Sequence, residues 1–133
     1  MTLYMLDTNI VSDLIRNPQG KAAKRIARLG ESNICTSIIV AAELRYGSAK
    51  SGSTRLHKAV EDLLGEITVL PFDAPADREY GGIRAELESA GQPIGSNDML
   101  IAAHASAIGA TVVTANDGEF KRIRRLKVEN WLA

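Results

Sequence analysis

The chain has 133 residues, 45% of them apolar and 24% charged, and its sixteen basic residues balance sixteen acidic ones. That length suits one domain spanning 1–133 around a single core, and no Pro/Gly/Ser-rich linker divides it. Apolar runs stay far below the roughly 20 residues that cross a bilayer, no secretory leader is expected, and the single cysteine, Cys35, excludes a disulfide framework and fits a reduced, cytoplasmic setting.

Leu3 to Leu6 form a short apolar run that ends at Asp7, the pattern of a buried parallel strand with an acid at its C-terminal tip. Residues 8–16 carry Ile10, Val11, Leu14 and Ile15 at helical spacing, and Asn17-Pro18 stops the helix. A second helix is expected over 19–29, closed by Gly30, and a strand over 33–36 around Ile34 and Cys35. Ser37 then caps a helix that runs through Glu43 to about Tyr46, where Gly47 ends or interrupts it. Further helices are expected over 54–64, closed by Gly65, and over 76–90, with a strand over 67–70 between them. Ser96 caps a helix of small apolar residues over 97–108 that Gly109 ends. A fourth strand covers 111–114, and 127–130 supplies a fifth at an edge.

Strands alternating with helices imply a parallel sheet covered on both faces and joined by right-handed crossovers. Sites in such sheets form beyond the carboxyl ends of the strands, where strand order reverses. Asp7 and the segment from Asn116 to Glu119 follow strand tips directly, whereas Glu43 and Asp98 lie in helices. Each acid alone has an ordinary explanation: Asp7 can cap a helix, Asp98 sits in a first turn where the helix dipole favours negative charge, and Asp117 and Glu119 can be loop acids. Glu43, set among Ile38, Ile39, Val40, Ala41, Ala42 and Leu44, needs a partner if buried. Together Asp7, Glu43 and Asp98 suggest a shared task, which is to hold a hard divalent cation such as Mg²⁺ or Mn²⁺. Such a cation supplies the charge and the activated water that phosphodiester hydrolysis requires.

His57 lies on a polar helix, and His104 sits on a different helical face from Asp98, so paired-histidine chemistry is disfavoured. No Gly-rich phosphate loop, zinc-type cluster or nucleophile-elbow serine is present. With no net charge, a polyanion would have to be held by a local patch. Two are legible, one of Lys21, Lys24, Arg25 and Arg28 on a helical face and one of Lys121, Arg122, Arg124, Arg125 and Lys127.

Four segments in order resemble the VapC-type toxins of the PIN-domain ribonucleases: Met5-Leu6-Asp7-Thr8-Asn9, Ala42-Glu43-Leu44-Arg45-Tyr46-Gly47, Pro93-Ile94-Gly95-Ser96-Asn97-Asp98, and Val113-Thr114-Ala115-Asn116 leading to Glu119-Phe120. The closing Val128-Glu129-Asn130-Trp131 is also similar to that family's ending. The resemblance implies a three-layer α/β/α sandwich with a short parallel central sheet. It also implies a Mg²⁺-dependent endoribonuclease, with Mn²⁺ as substitute, that inhibits translation as the toxin of a type II toxin-antitoxin pair. Asp7 and Asp98 would be the main metal ligands, Glu43 a further acid acting through water, and Thr8 and Thr114 neighbours that orient carboxylates or the attacking water. The family often has a fourth acid where this chain has Asn116, and Glu119 or Asp117 would supply that charge. One firmly bound cation is therefore expected, with a second arriving with substrate.

Relatives of the subgroup with this asparagine cut the anticodon loop of initiator tRNA, so tRNA is the expected substrate. The resemblance further implies a homodimer and a VapB-type antitoxin that wraps it and blocks the cleft, with operator DNA bound only through the antitoxin and no membrane involved. Helices around 39–46 or 56–64 are the interface candidates. The rivals are a haloacid-dehalogenase-like phosphatase, which needs an Asp where this chain has Asn9, and a non-catalytic PIN-like interaction module.

Overall fold

Five parallel strands form one sheet in the order β3-β2-β1-β4-β5 in the computed structural model, which describes residues 2–133. The strands are β1 (Tyr4–Leu6), β2 (Ile34–Ser37), β3 (Thr68–Leu70), β4 (Thr111–Val113) and β5 (Val128–Glu129). The helices are α1 (Thr8–Arg16), α2 (Lys21–Leu29), α3 (Ile38–Ser51), α4 (Thr54–Glu66), α5 (Ala76–Ser89), α6 (Ser96–Ile108) and the single turn α7 (Asp117–Phe120). Leu6 pairs with Thr36 on one side and Val113 on the other, which makes β1 the central strand.

The chain moves outward from β1 through β2 to β3, then returns across the sheet to β4 and β5. With right-handed crossovers, α1 to α4 cover one face while α5 and α6 cover the other, giving the expected α/β/α layering. The direction of travel reverses between β1 and β4, and the crevice beyond the ends of these two strands is where such sheets bind ligands. Met5, Leu6, Val112 and Val113 are fully buried between the helical layers, which accounts for strands that read as unbroken apolar runs. Cys35 is buried in β2, where burial pushes its thiol up to about 11, so it packs and does not react at neutral pH.

Several boundaries differ from the sequence expectation. Gly47 does not end α3, which continues to Ser51 and stops at Gly52, whose φ of 66° lies in the left-handed region. Gly65 likewise lies inside α4. Neither Gly47 nor Gly65 has a positive φ, and a Cβ at either would meet nothing within 4 Å, so no turn requires them. Gly20, not Gln19, precedes α2, and Gly95, not Ser96, caps α6 without any side-chain bond. The 3-10 turn Glu31–Asn33 and the turn α7 are too short to carry a hydrophobic period. Ser37 does cap α3, accepting from the Ile39 amide at 3.1 Å.

Candidate active site

Asp7 leaves the tip of β1 as the N-cap of α1, so one acid serves both helix and crevice. Its Oδ1 accepts from the Thr8 amide at 2.8 Å, and its Oδ2 accepts from the Thr114 hydroxyl at 2.8 Å. Thr114, fully buried just beyond β4, also accepts from the Asn116 amide at 2.9 Å. Asn9 bridges the same two strand ends: its Oδ1 accepts from the Ala115 amide at 2.9 Å, and its Nδ2 faces Thr114 Oγ1 at 3.4 Å. Sequence reading assigned Asn9 no role in the site, although its place two residues after Asp7 was the available signal.

Asp98 stands in the first turn of α6 but caps nothing; its Oδ2 accepts from Asn116 Nδ2 at 3.2 Å. The same Asn116 amide group donates to Glu119 Oε2, while Glu119 Oε1 accepts from the Gly95 amide at 3.3 Å. Asn116 therefore does not act as an acid itself but holds two acids on one donor. Glu119, and not Asp117, faces Asp98 across Asn116: Asp117 turns away to Lys121 at 3.2 Å and to Asn130 at 3.2 Å. Glu43 is only partly buried, contrary to the expectation from its apolar neighbours, because the buried face of α3 is Val40, Ala41, Leu44 and Ser48. Its Oε1 accepts from the Thr8 hydroxyl at 2.9 Å, which places it on the α1 side of Asp7.

Burial pushes the Asp7 carboxyl above its ordinary value, against the bonds from Thr114 and Thr8, and Glu43 and Glu119 add repulsion. Asp98 rises to about 6 through burial first and then the charges of Asp7 and Glu119. Glu119 is held low by the Asn116 bond, so any proton shared by Asp98 and Glu119 resides on Asp98. Among the described residues, no Lys or Arg forms a salt bridge to Asp7, Glu43, Asp98 or Glu119. Nor do any three His, Cys, Asp or Glu side chains among them form a ready-made ligand cluster. The charges of Asp7, Asp98 and Glu119 thus act on one another at the ends of β1 and β4, with Glu43 bonded to Thr8 on the α1 side.

His104 is buried, with Nδ1 2.7 Å from Ser37 Oγ, and burial lowers its pKa. It braces the cap of α3 and stands apart from the acids. A groove of about 460 Å³ lined by Thr8, Ile15, Glu43, Leu44, Leu56 and Val60 runs from the acidic flank between α1, α3 and α4. No helix among the described residues is long and apolar enough to cross a membrane.

Comparison with known proteins agrees with this architecture. The PIN domain family model matches residues 4–126. The chain is 43% identical over 131 residues to "Ribonuclease VapC2" of Rickettsia felis, covering 97% of this chain and 98% of that protein. It is 39% identical over 132 residues to "tRNA(fMet)-specific endonuclease VapC" of Shigella flexneri, covering 98% and 99%. Among solved structures, DNA-bound VapBC from Salmonella typhimurium superposes with a TM-score of 0.90 at 39% identity, covering 98% of this chain and 99% of that one. VapBC2 from Rickettsia felis bound to a promoter DNA fragment gives 0.88 at 39% identity, with the same coverage. The chain therefore belongs to the PIN-domain family, among its VapC-type ribonucleases.

Proposed function

We propose that this ribonuclease is the toxin of a toxin-antitoxin pair and hydrolyses tRNA, with the anticodon loop of initiator tRNA as target, using Mg²⁺ or Mn²⁺ held in the acidic crevice. The observation that carries the reading is the placing of Asp7 at the tip of β1, beside the strand-order reversal, with Asn116 beyond β4 holding Asp98 and Glu119, in a chain alike from end to end to a tRNA(fMet)-specific endonuclease. The donor set fits a hard cation: it is all oxygen, crowded enough to raise two carboxyls, and among the described residues no Lys or Arg forms a salt bridge to it. Mg²⁺ is usually held by one or two carboxylates plus water and substrate phosphate, so Asp7 and Asp98 would be its protein ligands, and Glu119 and Glu43 would add negative charge beside it.

When bound, the cation supplies a nucleophilic water near neutral pH and charge against the phosphate oxygens. The protein's own part is positioning. Thr114 and the Thr8 amide fix both oxygens of Asp7, Asn116 fixes Asp98 against Glu119, and the Thr8 hydroxyl fixes Glu43. At pH near 8 the Asp98 carboxyl, at about 6 when nothing is bound, is ionised and competent as a ligand. His104, buried against Ser37, is unavailable as a general acid or base, and Asn9 cannot replace the second Asp a phosphatase of the rival class needs.

The groove beside Glu43 offers an apolar seat for the tail of a VapB-type antitoxin, which would bring operator DNA with it; Ile38 and Tyr46 are exposed on α3 where a homodimer partner would pack. The setting is cytoplasmic, where tRNA is found. Incubation of the purified chain with total tRNA tests the reading. Cleavage that needs Mg²⁺, stops with chelator, leaves 5′-phosphate and 3′-hydroxyl ends and is lost in Asp7→Ala is expected. Cleavage that persists in chelator, or cyclic-phosphate ends, would overturn it.

A further inference from the structure

We propose that RNA docks on the basic ridge Lys121, Arg122, Arg124, Arg125 and Lys127, and that the cluster on α2 instead anchors the C-terminus. The inference rests on the ribonuclease reading and adds the surface that presents the substrate to the crevice. Phe120 and Ile123 are 0% and 5% exposed, so the backbone of this segment is pinned into the core while Lys121, Arg122, Arg124, Arg125 and Lys127 are exposed to solvent. The ridge starts at the site itself. The Arg122 amide bonds to the Glu119 carbonyl at 3.1 Å, and Arg122 Nη1 donates to the Pro93 carbonyl at 2.9 Å, in the loop that leads to Asp98. From there the chain descends to Lys127, whose carbonyl accepts from Val112 at the start of β5 pairing.

Position separates the two clusters, since the ridge adjoins Glu119 and the loop to Asp98 while α2 meets the C-terminus. Lys121 pairs with Asp117, but among the described residues Arg124, Arg125 and Lys127 form no salt bridge. On α2, Arg25 pairs with Glu129 at 3.4 Å and lies 5.6 Å from the Trp131 ring centre, and Lys21 Nζ reaches the Ala133 carbonyl at 3.5 Å, while Lys24 and Arg28 form no salt bridge among the described residues and lie on this C-terminal side of the fold. An acidic crevice repels phosphate and the chain carries no net charge, so the substrate must be held by positive groups at the rim. Guanidinium forks suit phosphate oxygens, and sequence-blind backbone contacts of this kind leave base recognition to the crevice.

The test compares wild type with the double reversal Arg124→Glu/Arg125→Glu and, as matched control, Lys24→Glu/Arg28→Glu, each confirmed as folded by its melting transition. Cleavage kinetics on tRNA are measured across a salt series, with equilibrium tRNA binding measured in the same samples. The ridge variant should lose roughly tenfold in kcat/KM through KM with kcat retained. Its log–log salt dependence should be shallower by about 1.5, since each phosphate that is no longer neutralised removes about 0.7 to 0.9 from the slope. The control should stay within about twofold of wild type. Wild-type cleavage with an unchanged KM and salt slope in the ridge variant, or an equal loss in the control, overturns the ridge alone. Binding that depends on the ridge without any wild-type cleavage retains the ridge and removes the nuclease reading.

Discussion

Asp98→Asn should make the metal-free protein more stable and at the same time inactive. The carboxyl rises from 3.8 to about 6 because burial and the charges of Asp7 and Glu119 disfavour its ionised form. At roughly 1.4 kcal/mol per pH unit the unscreened cost of ionising it in the fold approaches 3 kcal/mol; since the side chain is only partly buried, solvent screening reduces this to about 1 kcal/mol. Sign follows from proton binding: between pH 3.8 and about 6 the folded state holds the proton more tightly than the unfolded chain, so stability falls as pH rises through that window. The penalty is fully present above about 6 and absent below 3.8. The amide can still accept from Asn116 Nδ2 and can donate to Glu119, without charge. Urea unfolding in chelator at pH 7.5 should therefore show the variant more stable by about 1 kcal/mol, roughly 3 to 5 °C in Tm for a chain of this size. The difference should shrink towards zero by pH 4. A variant less stable than wild type at pH 7.5, or a difference that does not change with pH, would refute the crowding argument.

Thr114→Val removes the donor to Asp7 and the acceptor for the Asn116 amide; a loss of about 1 to 3 kcal/mol is expected, with a fall in kcat larger than that in Glu43→Gln, read by denaturation and tRNA cleavage. His104→Ala should cost about 2 to 4 kcal/mol, since it opens a cavity and strips Ser37 of a partner beneath α3, while kcat per folded molecule changes little. Asp13, 8% exposed, buries an Oδ2 with no hydrogen-bond partner, and Asn17, which bonds its other oxygen, is exposed. Asp13→Leu should then stabilise the chain by about 1 kcal/mol at pH 7 without altering cleavage, and a loss of stability in thermal unfolding would mean that the carboxylate is satisfied in solution.

What the sequence made legible was what depends on local pattern. Met5, Leu6 and residues 111–114 are buried on both faces of the sheet, so their segments read as strands without polar alternation. Gly47 and Gly65 misled because glycine can end a helix only where the backbone needs a positive φ, and that need is fixed by tertiary path, here met at Gly52. Asp7 and Asp98 stood out by their places after a strand and a loop. The choice of Glu119 over Asp117 did not, since it depends on which side of one helical turn faces the crevice, decided by Phe120 plugging the core and Lys121 drawing Asp117 outward. Glu43 looked buried from its neighbours, but a helix buries only one of its own faces, here Val40, Ala41, Leu44 and Ser48, and Glu43 lies at the edge of that stripe beside Thr8.

The central claim is that carboxylates distant in sequence share one hard cation. Anomalous scattering from crystals of the full chain soaked in Mn²⁺ tests it most directly. A single strong peak within ligating distance of both Asp7 and Asp98, absent from Asp98→Asn crystals grown in the same form, is the predicted result. Manganese bound elsewhere while the crevice between those two acids stays without a peak at saturating concentration would contradict the account.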